Sequence, residues 1–389
     1  MFSLISYLES EFATFDEKPL GEVDAAVFSQ AAMLNGEGIV PSFPRVRTGL
    51  IRRLQAVLDP GVTTARFVDL DRAERYAGMF TGLVPDDIKR CLHALVASPR
   101  FRDVALSGFS RVVDEASHTQ FMATTYIWRD AFACVSFAGT DASRTGWRED
   151  LDMAYRNEVG AQRLAREYLE RAASRLSVPL NVCGHSKGGN LALYAALTCS
   201  DETRARIAHV WTLDAPGFVR GRFGEDDYRK LDGKVSRIVP EESTVGMLLS
   251  CPIEAAPIVS SASGLEQHSA FTWQVTDGLF ARADHLSDYA RSVHEVVEGW
   301  LADMGADETR RVVEAIDAAI TAAGVEDIGE LFRPGRDIAG GIVEASKRME
   351  PSSREVLGRA LGDLAARVMR RLGDDVAASL PWVRRRPAS

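Results

Sequence analysis

The chain has 389 residues, 46% of them hydrophobic and 26% charged, a composition of folded globular proteins that excludes wholesale disorder. Its formal net charge of -9 argues against a nucleic-acid-binding protein, because such proteins use an excess of Lys and Arg to displace counterions from phosphates. Apolar runs such as residues 132–137 and 191–197 are far shorter than the roughly 20 residues that cross a bilayer.

The first 16 residues contain three acidic side chains and no Lys or Arg, whereas a secretory signal begins with basic residues. We therefore expect a cytoplasmic protein. The five cysteines are irregularly spaced and predict neither a disulfide framework nor a metal site. No cofactor is expected.

Three regions follow one another along the chain. Residues 1–115 combine helical periodicity with breakers and predict a mostly helical part that packs on the rest. Residues 116–283 predict a hairpin, 121–128 with 132–137, and then strands that alternate with helices. The predicted strands are 180–183, 209–213 and 235–239, and the predicted helices are 160–176, 187–199 and 225–231. Residues 284–389 show only amphipathic helical patterns and predict a helical C-terminal extension.

The alternation in the middle region indicates an α/β fold, with a mostly parallel sheet and helices on both faces. The segment 184–188, Gly-His-Ser-Lys-Gly, falls between a predicted strand and a predicted helix and matches the G-x-S-x-G nucleophile elbow. Small neighbours are needed there because the serine adopts a strained backbone conformation. Many inert turns share this motif, but the strand before it and the helix after it favour Ser186 as a nucleophile.

A serine nucleophile needs a base later in the chain. His209 opens a predicted strand, and His285 and His294 fall in the helical extension. His268 lies in a loop after the last predicted strand, where a neutral imidazole can accept the serine proton. We predict His268 as the base, with a merely solvated loop histidine as the alternative.

An oxyanion hole is expected where the second hairpin strand ends. Gly139 allows a close approach of the backbone, and Thr140 offers both an N–H and a hydroxyl. The N–H of Lys187, directly after the nucleophile, would be the second donor. The alternative is that Thr140 or Asp141 only caps the following segment.

Two charged groups outside this set have competing interpretations. Asp141, Glu149, Asp150 and Asp152 would suit a cation, but we predict the last three near a helix start, where the dipole favours acids, and therefore no metal. The basic residues of the extension would suit an anionic membrane surface, although a solvated helical face is the default. These residues are Arg367, Arg370, Arg371 and Arg384-Arg385-Arg386 beside Trp382.

Six segments form a set in a fixed order: Phe137-Ala138-Gly139-Thr140, Gly146-Trp147-Arg148-Glu149-Asp150, the elbow with Gly189-Asn190, Asp214-Ala215-Pro216-Gly217-Phe218, Pro240-Glu241-Glu242-Ser243, and Gln267-His268 with Trp273. With scattered earlier matches, the set covers roughly residues 7–275. It resembles the Mbeg-like α/β-hydrolase family of unknown function, which is similar to the class 3, fungal-type triacylglycerol lipases.

The resemblance implies an α/β-hydrolase fold with the lipase nucleophile on Ser186, its base on His268, and its oxyanion donors on Thr140 and Lys187. A supporting arginine of the lipase pattern is replaced by Ala138.

The resemblance leaves the third member of the triad open. In the strictest register the lipase aspartate falls on Ser243. A shift of one residue lets Glu242 orient His268, and we rank Glu242 above Glu241 and Asp214.

The sequence thus predicts a serine hydrolase that cleaves a carboxylic ester, of a small molecule or a lipid, through an acyl-enzyme on Ser186. The alternative is a binding or scaffolding protein that keeps the fold with a degraded triad.

Overall fold

The computed structural model describes residues 2–43, 62–322, 347 and 350–379. Its central element is a seven-stranded sheet whose strands follow one another in chain order. The strands are β1 (Ala105–Asp114), β2 (Thr119–Trp128), β3 (Phe132–Phe137), β4 (Leu180–His185), β5 (Ile207–Leu213), β6 (Val235–Pro240) and β7 (Ala255–Ile258). β1, β2 and β3 pair antiparallel, and β3 to β7 pair parallel. A separate hairpin joins β8 (Val275–Thr276) to β9 (Leu279–Phe280).

Helices cover both faces of this sheet, which confirms the predicted α/β fold class. They are α1 (Leu4–Ser10), α2 (Glu22–Ala31), α3 (Phe67–Leu70), α4 (Pro85–Ala97), α5 (Arg144–Asp152), α6 (Gly160–Arg175), α7 (Lys187–Thr198), α8 (Asp201–Ala205), α9 (Glu225–Arg229), α10 (Asp288–Ala322) and α11 (Pro351–Ser379). α2 packs on β3, β4 and β5, and α7 packs on the same three strands.

The central parallel strands β3 and β4 are buried along nearly their whole length, with helices on both faces. In β3, Cys134 belongs to the core under α2, whereas Val135 and Phe137 belong to the core under α6 and α7. The carboxyl ends of β3, β4 and β5 therefore meet at one edge, where loops from three strands can share a site.

β1 lies in the segment that we predicted as helical and irregular. Its pairing register with β2 shifts between Ser107 and Ser110, and Gly108 between them has a φ of 72°. This bulge interrupts the alternation of polar and apolar residues by which a strand is recognised in a sequence.

A buried ion pair attaches the N-terminal helices to the body of the protein. The Arg100 guanidinium donates to both carboxylate oxygens of Asp24, each at 2.7 Å, and Tyr7 donates to the same carboxylate at 2.8 Å. The Arg100 and Asp24 side chains are 0% and 2% exposed. Burial, followed by the charge of Asp24, raises the pKa of the Tyr7 phenol well above its usual range.

In the helical extension, α10 has a kink at Gly305, where φ is 70° and the backbone leaves the helical conformation. α11 packs on α10 through Ala315, Ala319 and Leu357. Arg367 and Arg371 pair with Asp303 and Glu295 of α10. Two of the basic residues that we considered for a membrane surface thus bind the protein itself, and residues 382–386 lie outside the described residues. No helix in the described ranges is long and apolar enough to span a membrane.

We expect Arg100→Met to lower the free energy of unfolding by about 3–5 kcal/mol, because the Asp24 carboxylate would be left buried without a counter-charge. Arg102→Met is the matched control, since this side chain is 56% exposed, and it should change stability by less than about 0.5 kcal/mol. Urea denaturation measures both values. Equal, small effects would contradict an anchoring role for the pair.

Candidate active site

Ser186 occupies a sharp turn between β4 and α7. Its φ is 58° and its ψ is -133°, a conformation that side chains other than glycine rarely adopt and that costs about 1–3 kcal/mol. A Cβ atom on Gly184 would overlap the backbone of Gly188, and one on Gly188 would overlap the carbonyl oxygen of Phe137. The glycines of the motif are therefore required by close packing around a strained serine.

His268 lies at the end of a short 3-10 helix, Gly264–His268, with its imidazole against Ser186. The distance from His268 Nε2 to Ser186 Oγ is 3.0 Å, and the distance from His268 Nδ1 to Asp214 Oδ2 is 2.6 Å. The imidazole is 21% exposed and the Asp214 carboxylate is fully buried. An ionised carboxylate can only accept, so Nδ1 carries the proton and Nε2 is free to accept from the serine hydroxyl.

The acid beside His268 is Asp214, not Glu242, which corrects our ranking. Asp214 follows β5, has a φ of 43°, and also accepts from the hydroxyl of Ser243 and from the N–H of Gly246. The lipase register places the aspartate at Ser243. In this structure the Ser243 hydroxyl instead donates to Asp214, which follows the preceding strand, β5.

Glu242 has another structural role. Its Oε2 accepts from the N–H of Gly264 at 2.6 Å and from Nε2 of Gln267 at 3.3 Å. The carboxylate therefore caps and holds the 3-10 helix that carries His268. For Glu241, the hydrogen bonds are through the backbone, to Ile258 and Ser287.

His185 is a residue of the site that our sequence reasoning missed. Its Nε2 donates to the backbone carbonyl of His268 at 2.7 Å, and the two rings lie 4.7 Å apart. Burial, and after it the neighbouring His268, lowers the pKa of His185 to about 3, so the ring stays neutral. Trp273 packs edge-on against the His185 ring and donates to the carbonyl of Gln267. The only sequence signal was the position of His185 inside the elbow motif.

The residues considered for the oxyanion hole lie on both sides of Ser186. A Cβ on Gly139 would be 3.6 Å from the Cβ of Ser186, so this loop passes directly beside the serine. The Thr140 hydroxyl donates its single proton to Oδ2 of Asp150 at 2.6 Å, which leaves the backbone N–H as the group that Thr140 can offer. Lys187 is the first residue of α7, where N–H groups lack partners within the helix.

Three of the four residues of the acidic cluster lie at the end of α5 and not at a helix start, which corrects a second expectation. The helix begins at Arg144, with Ser143 as its cap, so Glu149, Asp150 and Asp152 fall in its last turns. Among the residues that the structure describes, no group of three or more potential ligands is arranged to hold a metal ion. Burial raises the pKa of Asp150 to about 6, opposed by the ammonium of Lys187.

A mostly parallel sheet with a serine elbow at its carboxyl edge defines an α/β-hydrolase-like protein. Residues 95–317 match the profile of the Mbeg1-like family, and the chain belongs to that family. Among solved structures, a crystal structure of M37 lipase is similar at 12% identity and a TM-score of 0.33, over 58% of this chain and 78% of the lipase. No curated protein matches the chain.

The strain at Ser186 can be measured with two variants that both lack the hydroxyl. Ser186→Gly should have a free energy of unfolding about 1 kcal/mol higher than that of Ser186→Ala, because only glycine adopts a φ of 58° without cost. Chemical denaturation of both variants provides the comparison. Equal stabilities would mean that the turn stores no strain.

Proposed function

We propose that the protein is a serine hydrolase that cleaves a carboxylic ester through an acyl-enzyme on Ser186. The observation that carries this proposal is the continuous line from Ser186 Oγ to His268 Nε2 at 3.0 Å and from His268 Nδ1 to Asp214 Oδ2 at 2.6 Å. A strained, partly accessible serine at the end of that line is the arrangement that nucleophilic catalysis needs.

In the proposed acylation, Oγ of Ser186 bonds to the ester carbonyl carbon as its proton passes to Nε2 of His268. The buried carboxylate of Asp214 stabilises the imidazolium that forms. The oxyanion is stabilised by the N–H groups of Lys187 and Thr140. When the carbon–oxygen bond breaks, His268 returns the proton to the leaving alkoxide, which departs as an alcohol.

In the proposed deacylation, water takes the place of the alcohol. His268 Nε2 accepts a proton from the water while the water oxygen bonds to the acyl carbon. The bond from that carbon to Oγ of Ser186 then breaks, and Oγ takes the proton back from His268. The products are a carboxylic acid and the free enzyme.

The proposed substrate is a small-molecule or lipid ester, and a cytoplasmic location stays a prediction. If the extension touches an anionic membrane, we infer that Arg370 contributes to that contact. This side chain is exposed, whereas Arg367 and Arg371 are paired with acids of α10.

We expect a fluorophosphonate probe to form a covalent adduct with Ser186, located by peptide mass spectrometry, together with turnover of short p-nitrophenyl esters. Ser186→Ala should abolish both, because no other group supplies the nucleophile. Folded wild-type protein that remains unlabelled, or is labelled at another serine, would contradict the proposal and favour a binding or scaffolding protein.

The choice of acid can be tested by a matched pair of substitutions. Asp214→Asn should lower kcat by about a thousandfold or more, because the imidazolium loses its charge partner and the amide favours the wrong tautomer. Glu242→Gln should change kcat by less than about tenfold, since this carboxylate supports the loop and does not contact the imidazole. If Glu242→Gln lowers kcat more than Asp214→Asn does, Glu242 and not Asp214 is the acid that supports His268.

A further inference from the structure

The Lys187 side chain is a buried cation that the proposed reaction does not use. It is 1% exposed, and Nζ lies 2.8 Å from Oε2 of Glu149, 2.9 Å from Oε1 of Gln120 and 3.9 Å from Oδ1 of Asp150. The ammonium therefore lies beside the end of α5, which carries both carboxylates. Burial of a lysine is costly without paired charges, so this placement needs its carboxylates.

The two carboxylates that share the ammonium are bound very differently. Glu149 also accepts from the N–H groups of Gln120 and Ala161, at 2.9 and 2.7 Å, so each of its two oxygens has a backbone donor. Asp150 accepts one hydrogen bond, from the Thr140 hydroxyl, and within the described residues its Oδ1 has no hydrogen-bond partner. The ionised state of Asp150 thus depends chiefly on the nearby charge of Lys187.

Within the described residues, the charged neighbours that shift the pKa of Asp150 besides Lys187 are Glu149 and Asp141. Glu149 and Asp141 add negative charge, and burial acts in the same direction, so that the pKa of Asp150 is raised to about 6 despite Lys187. The arginines on the same helix are engaged elsewhere, because Arg144 and Arg148 bind Asp317 of α10 and Arg148 also binds Asp152.

We propose that Lys187 is a positioning residue of the active site: its ammonium keeps Asp150 ionised, and the Asp150 carboxylate then holds Thr140 beside Ser186. This inference rests on the proposed hydrolase function. A hydroxyl bound to a carboxylate makes a hydrogen bond about twice as strong as one bound to a neutral group. Protonation of Asp150 would therefore loosen the loop that supplies an oxyanion donor, although His268 and Asp214 remain in place.

The pH dependence follows from the direction of the pKa shift. Asp150 binds a proton as the pH falls through about 6, so the loop is held above that pH and released below it. In the wild type, kcat/KM should therefore fall as the pH drops through about 6, where Asp150 loses its charge, and we call this fall the acid limb of the pH profile.

Substitution of Lys187 changes the side chain and leaves the backbone N–H of the elbow. Lys187→Met keeps the length of the side chain and removes its charge. It should raise the pH at which Asp150 is half protonated by about one unit or more. With a shift of one unit, activity near pH 6.5 would then be about a quarter of activity near pH 8.5. Lys187→Met combined with Glu149→Gln removes one charge of each sign and should move the acid limb part of the way back toward that of the wild type.

Asp150→Asn is the third variant, because an amide does not titrate. Its pH profile should lack the wild-type fall near pH 6, and adding Lys187→Met should no longer shift the acid limb. Glu158→Gln, at a carboxylate that binds Tyr194 and Arg166 away from the site, is the control and should leave the limb unchanged. If Lys187→Met does not fold, the double variant and Asp150→Asn still decide the matter.

If Lys187 had a merely structural role, Lys187→Met would lower activity equally at every pH and would not move the acid limb. Adding Glu149→Gln would then give no rescue. That outcome overturns the proposal. Carbon-13 NMR titration of the aspartate carboxyls, assigned with Asp150→Asn, needs no turnover. If the wild-type protein hydrolyses no ester but the pKa of Asp150 is higher in Lys187→Met than in the wild type, only the proposed hydrolase function has failed. If esters are hydrolysed and the titration of Asp150 does not depend on Lys187, the positioning role alone has failed.

Discussion

The backbone turn at Ser186 is the constraint on which the site depends. The residue is held at a φ of 58° because the N-terminus of α7 presses against both the end of β4 and the end of β3, with no room for a Cβ at Gly184 or Gly188. This close packing brings Gly139 to the serine and starts α7 beneath it. The strain is sustained because the serine lies between a strand buried at five of its six residues and a helix buried over most of its length.

The sequence predicted the parts of the site that local chemistry dictates. Ser186 was recognisable because strain demands glycines on both sides, and His268 because few histidines fall in loops after the elbow. Asp214 carried no comparable signal, since its positive φ and its burial under Ser243 exist only once β5 and β6 lie side by side. The register argument that favoured Glu242 assumed an acid after β6, and the structure has the acid one strand earlier.

The fold shows the same difference between features that local sequence dictates and features that exist only in the folded chain. Buried parallel strands and their helices were predicted from apolar runs and their spacing, whereas β1 was missed because its bulge at Gly108 breaks the period. The start of α5 at Arg144 follows from the cap at Ser143, a signal that the acidic residues further along obscured. The burial of Lys187 could not be predicted, because its partners on α5 are distant in the chain and a lysine is ordinarily exposed.

The helical extension is tied to the site through salt bridges and hydrogen bonds. Asp317 of α10 binds Arg144 and Arg148 of α5, the helix that carries Glu149 and Asp150. His294 of α10 binds the carbonyl of Met247, in the loop whose Gly246 donates to Asp214. The extension thus contacts both the helix that carries Asp150, the partner of Thr140, and the loop that binds Asp214.

The position of α2 has a consequence for the newly made chain. All ten residues of this helix are buried, chiefly against β3, β4 and β5, and its Asp24 needs Arg100. Since β5 ends at Leu213, synthesis at about 5–20 residues per second leaves the apolar surface of α2 without its final partners for roughly ten to forty seconds. The N-terminal part of this protein therefore completes its folding late, although it is synthesised first.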